Sequence, residues 1–409
     1  RSDLVLKFSV PAFLRPYHED VGAALLAEQV SGFVRMSSGV QVEVLTKKAT
    51  GPGGLYDLLS NAAGVAPAIV PDLIVLNHED LLAAVGDGLV QPLDDFLPAD
   101  AGYFDAALAD VRTAEALWAF PYVAQAEQMA YRSTVTTTPP LTWTAVLSDG
   151  FSLALPGGTQ DGLNSDILLS MYVGAGGRIV DDTGQVTLDR DVLERMYAFL
   201  LAAGEAGLLD AEQALALPDT AACWQLFQAG EVTLTPVSLG TYWHAYLNAP
   251  VGAEDGATTP TPEVEGPEPG TEGTVELPSD VLPSWAPTPL GNPVTVMRAW
   301  GLVVVTDDPA RQEATLELVR WLVSAQQMGE LTRRAALVPT RRLAVESWQL
   351  PADEEAFVLQ LLSNSIAVPQ AGADLVVHRA LQAGFVAILQ GEATSADAAA
   401  SQALTSLRR

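Results

Sequence analysis

Short apolar runs alternate with longer stretches of helical period through the first third of the chain. Leu4 to Val10 reads as a strand, Val40 to Leu45 as a second and Leu73 to Leu76 as a third, with helices expected near Asp20 to Met36 and Gly54 to Gly64. Strands that alternate with helices join by right-handed crossovers into a largely parallel sheet covered on both faces. Ligands in such sheets sit beyond the carboxyl ends of the strands. Pro11 to Phe13 and the run Asn77, His78, Glu79 are therefore site candidates on topology alone.

The pattern resumes from Tyr122 with apolar strands at Phe151 to Leu155 and Val232 to Val237, and helices at Asn164 to Val173, Arg190 to Ala203 and Thr220 to Ala229. Gly230 stands where it would close the last of these helices. Near the end, an apolar strand carrying Trp300 and Gly301 runs into the turn Thr306-Asp307-Asp308-Pro309. A long amphipathic helix follows and stops before Pro339-Thr340-Arg341-Arg342. Asp374 to Gln390 and Ser395 to Leu407 read as two closing helices, with Ser395 as N-cap and Ala398 where a capping box would place Glu.

Length changes this picture into one of two lobes, because 409 residues exceed the roughly 250–300 at which a single core stops growing. No run of about 18 uncharged apolar residues spans a bilayer, and the first residues show no basic and apolar leader, so any export signal is expected to have been removed. The formal net charge of -29 repels nucleic acid and anionic lipid, and solubility is its ordinary explanation. The single cysteine, Cys223, lies in a helical pattern and reads as a small core residue. Between 249 and 283 the composition turns to Glu, Asp, Pro, Gly and Thr without Lys or Arg, which predicts a flexible acidic insertion.

Catalytic and metal chemistry find little footing. His18, His78, His244 and His378 are scattered, no metal-ligand spacing occurs, Gly51-Pro52-Gly53-Gly54 lacks the Lys of a phosphate loop, and the Asp pairs sit in turns. We expect no enzyme activity, no cofactor and no metal. Aromatic residues are more informative, since sugar rings present apolar faces to indole and phenol rings while polar groups bind the hydroxyls. Eight Trp and nine Tyr are available; Trp118, Trp143 and Trp321 fall in core-like periods.

Several blocks resemble the extracellular solute-binding proteins of carbohydrate-uptake ABC transporters. Pro71-Asp72-Leu73-Ile74-Val75-Leu76 is similar to the family's PDVV strand, and Gly88 to Asp95 to its GxLxPLDD turn. Leu117 to Tyr122 with Tyr131, then Thr142-Trp143, resemble its crossing and TWDE segments. Gly174 to Gly177 with Asp181 to Val186, Phe227 to Val232 and the stretch Val294 to Arg342 follow in the family's order. Each block is short; their order along nearly the whole chain carries the resemblance.

That resemblance implies a two-lobed α/β fold of the type II periplasmic-binding-protein kind, each lobe a mostly parallel sheet flanked by helices and joined by hinge crossings. It divides the chain into residues 1–121 plus 294–338 and residues 122–293 plus 339–409. It implies a monomeric, extracytoplasmic receptor, lipid-anchored through an N-terminal segment absent here. Such a receptor captures a mono- or oligosaccharide by hinge closure and delivers it to permease subunits. A sensory or adhesive role through a protein partner is the alternative. By position, the ligand-binding set is Phe13, Asn77, His78, Glu79, Gln125, Glu127, Tyr172, Trp224, Ser238, Tyr242, Trp243, Arg298, Trp300 and Arg341. Two departures stand out: Gly240 where relatives carry Trp, for which Tyr242 or Trp243 would compensate, and Arg132 where Asn is usual.

Overall fold

The early strands form where the apolar runs place them. A computed structural model describes residues 4–14, 21–66, 69–96, 101–158, 165–247, 277–368 and 373–408. Its strands are β1 (Leu4–Pro11), β2 (Val40–Lys47), β3 (Leu73–Leu76), β4 (Phe120–Gln125), β5 (Glu127–Arg132), β6 (Leu234–Ser238), β7 (Val281–Ser284), β8 (Thr295–Val296), β9 (Arg298–Val304), β10 (Val338–Pro339) and β11 (Ser365–Ile366). The helices Val21–Met36 and Leu55–Val65 connect β1, β2 and β3 as expected.

The first sheet has six strands in the order β10-β4-β9-β3-β1-β2. Only β1 with β2 and β1 with β3 are parallel; β3 with β9, β9 with β4 and β4 with β10 are antiparallel. The expectation of a mostly parallel sheet is corrected here. The chain re-enters at β9 from the other half of the molecule rather than through a helical crossover, and nothing forces that strand to share the direction of β1. β4 also carries the first sheet through Gln125, past the boundary expected at Pro121.

The second sheet, β6-β5-β7, is wholly antiparallel. Phe151 to Leu155 does not form the expected strand. It makes one bridge, Leu153 with Leu234, and Pro156 directly follows without an N–H to continue a ladder. β7 starts at Val281, inside the stretch expected to be an acidic insertion, because Val281 and Leu282 pair with Arg132 and Tyr131. Asp280 meets Arg132 at 3.0 Å, which gives the unusual Arg a partner. Residues 249–276 of that stretch lie outside the described residues.

Local signals explain most helix ends. Asp308 accepts from Arg311 N at 2.9 Å and Pro309 occupies the first turn of Pro309–Leu322. The long helix expected after it is two helices, because Ser324 starts a second, Ala325–Arg334, by accepting from Gln327 N. Gly230, at φ +79°, follows the helix Thr220–Gln228 in the left-handed conformation that lets the chain turn out of it. Ser395 caps Ala396–Leu407 by accepting from Ala398 N.

One core packs on the first sheet and another fills the helical half around Tyr172, Tyr197 and Phe385. A third cluster joins them and includes Ala124, Ala126, Trp243, Met297, Ala299 and Trp348. The chain leaves the first sheet at Ala126 and returns at Met297, both buried. Among the described residues no helix is long and apolar enough to cross a membrane.

Candidate functional site

The site grows from the carboxyl end of β3. Asn77, the next residue, accepts from Asp80 N at 2.9 Å and so starts the helix His78–Gly86, a cap contributing about 1 kcal/mol. This fixes His78 and Glu79 at the strand end. Across from them β4 ends at Gln125, paired with Arg298 at the start of β9. A cavity of about 180 Å³ opens between these ends, lined by Asn77, His78, Glu79, Gln125, Arg298 and Trp300 of the expected set. Phe13, on the short helix after β1, does not line the cavity but sets its ring edge-to-face on Trp300 with centroids 5.1 Å apart. Phe13 is 40% exposed and Trp300 only 9%, so the indole is the wall and the phenyl braces it from the solvent side.

Five lining residues escaped the sequence: Met297, Ala299, Val368 and the two acids Asp110 and Asp374. Asp110 ends the helix Asp105–Asp110 and accepts from Ala299 N at 2.7 Å. Burial pushes its carboxyl up to about 7, against the pull of that hydrogen bond and of Arg298. The backbone carbonyl of Asp110 lies 2.7 Å from His78 Nδ1. A carbonyl only accepts, so Nδ1 carries the proton and, in the neutral ring, Nε2 offers a lone pair. That Nε2 is buried and has no hydrogen-bond partner. The one available clue to Asp110 was an acid among the Ala and Leu of Asp105–Asp110.

Arg298 lies beside the cavity but its hydrogen bonds are already committed. Its Nε and Nη2 donate to Asp166 at 2.9 and 2.6 Å, and its guanidinium also donates to both oxygens of Asp374. His378 completes the group, with Nε2 2.8 Å from Asp166 Oδ1 and Nδ1 3.1 Å from Asp374 Oδ1. Burial opposes ionisation of Asp166, yet Arg298 and then His378 hold its carboxyl below the usual range. Burial likewise works against charge on His378, but its hydrogen bonds to Asp166 and Asp374 raise it to about 9. Arg298 thus ties β9 to the helical half from which Asp166 and Asp374 project.

Other expected site residues lie elsewhere. Tyr172 is fully buried, donating to Arg178 O and accepting from Asp189 N at 2.8 and 2.6 Å. Trp224 stacks on Phe227, Tyr242 donates to Val281 O, and Trp243 donates from Nε1 to Gln128 Oε1 at 2.9 Å. These four pack the interior, Tyr172, Tyr242 and Trp243 with their polar atoms bonded there and Trp224, Tyr242 and Trp243 with their rings against other rings. Glu127 accepts from Ser165 Oγ at 2.7 Å, Asp166 N at 2.8 Å and Thr220 Oγ1. Its carboxylate is used inside the second half, and burial, then the nearby Asp166, raise it to about 7. Ser238 pairs with Glu127 in the second sheet and does not line the cavity. Arg341 donates to the carbonyls of Ala101 and Val323 and lies over the Tyr103 ring, which makes it a staple of the first half. Trp118, Trp143 and Trp321 are packing residues, bonded to Thr113, stacked on Phe199 and bonded to Gln29 O respectively.

Gly240 has a steric reason. A Cβ there would stand 1.9 Å from the carbonyl oxygen of Ala336, itself at a left-handed φ of 52°. No side chain fits at this position.

Residues 33–358 match the family described as bacterial extracellular solute-binding protein. The chain belongs to this family. The match covers every strand of both sheets except β1, and all three strand ends around the cavity of this solute-binding protein. Solved structures agree on the fold. The sugar-binding protein MalE from Xanthomonas citri is 17% identical, with 98% of this chain and 95% of that one covered at a TM-score of 0.70. The cyclic alpha-maltosyl-1,6-maltose binding protein from Arthrobacter globiformis is 14% identical, with 99% and 98% covered at 0.69. An ABC transporter solute-binding protein from Thermotoga lettingae bound with alpha-D-tagatose is 15% identical, with 99% and 100% covered at 0.64. No curated protein sequence matches the chain. These likenesses establish the two-lobed α/β fold of the solute-binding proteins.

Proposed function

We propose that this solute-binding protein captures a small carbohydrate in the cavity at the ends of β3, β4 and β9, outside the cytoplasm, and delivers it to the membrane subunits of an ABC importer. The observation that carries this reading is the pairing of an aromatic wall, Trp300, braced by Phe13, with the polar ends of Asn77, His78, Glu79 and Gln125 across about 180 Å³. An apolar sugar face rests on the indole while hydroxyls meet the polar groups. The volume lies below the roughly 300–1,000 Å³ of most ligand pockets, so one ring is held at a time unless the lobes part. The sugar-binding proteins among its structural relatives support the same ligand class.

The moving bodies are the β1–β4, β9, β10 half and the half built on β5, β6 and β7. Ala126 and Met297 are the crossings that bend. The closed arrangement is the one presented to the permease, and a ligand preferring it shifts the population toward it. A thermal-shift panel of mono- and oligosaccharides tests the reading: a rise in melting temperature with at least one sugar supports it, and no rise with any sugar at millimolar concentration refutes it.

A further inference from the structure

We propose that the preferred guest is an amino sugar bound as its ammonium form, a refinement that rests on the carbohydrate reading above. The described lining is rich in acceptors and has no cation to spare. Glu79, Asp110 and Asp374 bring three carboxyl groups to the cavity wall. The single guanidinium of the lining, on Arg298, already donates to both Asp166 and Asp374. With His378 added, that group balances: Arg298 and His378 against Asp166 and Asp374. Glu79, Asp110 and the bare Nε2 of His78 remain for the guest.

Those three groups want donors. An ammonium has three N–H bonds and a positive charge, so it satisfies the buried Nε2 of His78 and a carboxylate together. A neutral hydroxyl gives one donor and no charge, and a uronic acid adds a second anion beside Glu79 and Asp110. The helix His78–Gly86 points its N-terminus at the cavity, a place that would otherwise suit an anion, but Glu79 and Asp80 already occupy its first turn. The rest of the ring, with its apolar face on Trp300, is held as any sugar would be. Burial, which raises Asp110 to about 7, is consistent with a carboxyl whose ionised form awaits a cationic partner.

Titration calorimetry on the full chain at pH 7 decides the matter, using matched sets of gluco-, galacto- and manno-configured sugars. Each set contains the neutral hexose, the 2-amino sugar, its N-acetyl derivative and, for the gluco and galacto sets, the uronic acid. The expected result is about tenfold tighter binding of one amino sugar than of its neutral and N-acetyl counterparts. Glu79 is exposed, so Glu79→Gln keeps the fold, checked by an unchanged melting temperature without ligand, and should abolish most of that margin by weakening the amino sugar several-fold more than the neutral hexose. A neutral sugar or uronic acid that binds as tightly as the amine, or a margin untouched by Glu79→Gln, overturns the proposal and leaves the carbohydrate reading intact. Failure of every sugar to bind overturns both.

Discussion

Arg298 Nη2 stands 2.6 Å from Asp166 Oδ1, so the first residue of a strand in one half is held by the residue that opens the helix Ile167–Gly174 in the other. With Asp374 and His378 this forms a balanced buried group beside the cavity. Removing one member leaves uncompensated charge in a low-dielectric setting, which costs far more than the pair contributes relative to an apolar replacement.

Arg298→Met is therefore expected to lower unfolding free energy by about 3–5 kcal/mol. Arg298→Lys should recover less than half, because an ammonium cannot span two carboxylates in the fork geometry. Adding Asp166→Asn to Arg298→Met should cost less than the sum of the two single changes. Urea denaturation of the four proteins checks this, and strict additivity would mean the pairing carries no energy.

His378 supplies the pH dependence. Its folded value of about 9 lies above the ordinary 6.5, so its stabilisation is fully present below pH 6.5 and is lost as pH rises through about 9. Asp110 and Glu127, both raised to about 7, also lower stability with rising pH, but their effect is complete before pH 8. Between pH 7.5 and 9.5 the wild type should lose on the order of 2 kcal/mol more than His378→Gln, because buried Cys223 and the buried tyrosines, raised by desolvation, lower both proteins alike. Equal slopes in that window would reject the assignment.

Aromatic residues should separate into two classes. Phe13→Ala is expected to leave stability within about 0.5 kcal/mol and weaken ligand binding several-fold, since the partly exposed ring braces the Trp300 indole. Trp243→Phe, which removes the donor that Gln128 accepts, should cost about 1–3 kcal/mol of stability and leave the dissociation constant unchanged. Reversal of these outcomes would move the binding surface to the interior cluster.

Gly240→Ala puts a methyl into the Ala336 carbonyl and should destabilise the protein by about 1–3 kcal/mol. Ala336→Gly, which relieves a left-handed φ, should do the opposite by about 0.5–1 kcal/mol. Chemical denaturation of both variants tests whether this close backbone approach is the reason for the glycine.

The cavity's place at the strand ends was legible because topology alone sends ligands there: placing Asn77, His78 and Glu79 in its lining needed only the alternation of β1, β2 and β3. Arg298, Trp300 and Gln125 were found through resemblance of the crossings. The interior aromatics misled for a physical reason. Tyr172, Trp224, Tyr242 and Trp243 have the ring chemistry of a sugar site, and no one-dimensional pattern distinguishes a ring facing a cleft from one facing Phe227 or Gln128. Asp110, Asp166, Asp374 and His378 were illegible because their roles depend on backbone or side-chain groups more than 70 positions away in the chain. The antiparallel entry of β9 was hidden likewise, since strand direction follows from where the chain returns and not from which residues it carries.

The central claim is that the Trp300 cavity is where a sugar binds. Calorimetric titration of wild type and Trp300→Ala with the best sugar of a carbohydrate panel tests it most directly. The account predicts measurable binding to the wild type, weakened at least about tenfold in Trp300→Ala while the variant stays folded by circular dichroism. A sugar that binds both proteins equally, or a panel in which none binds the wild type, would contradict it.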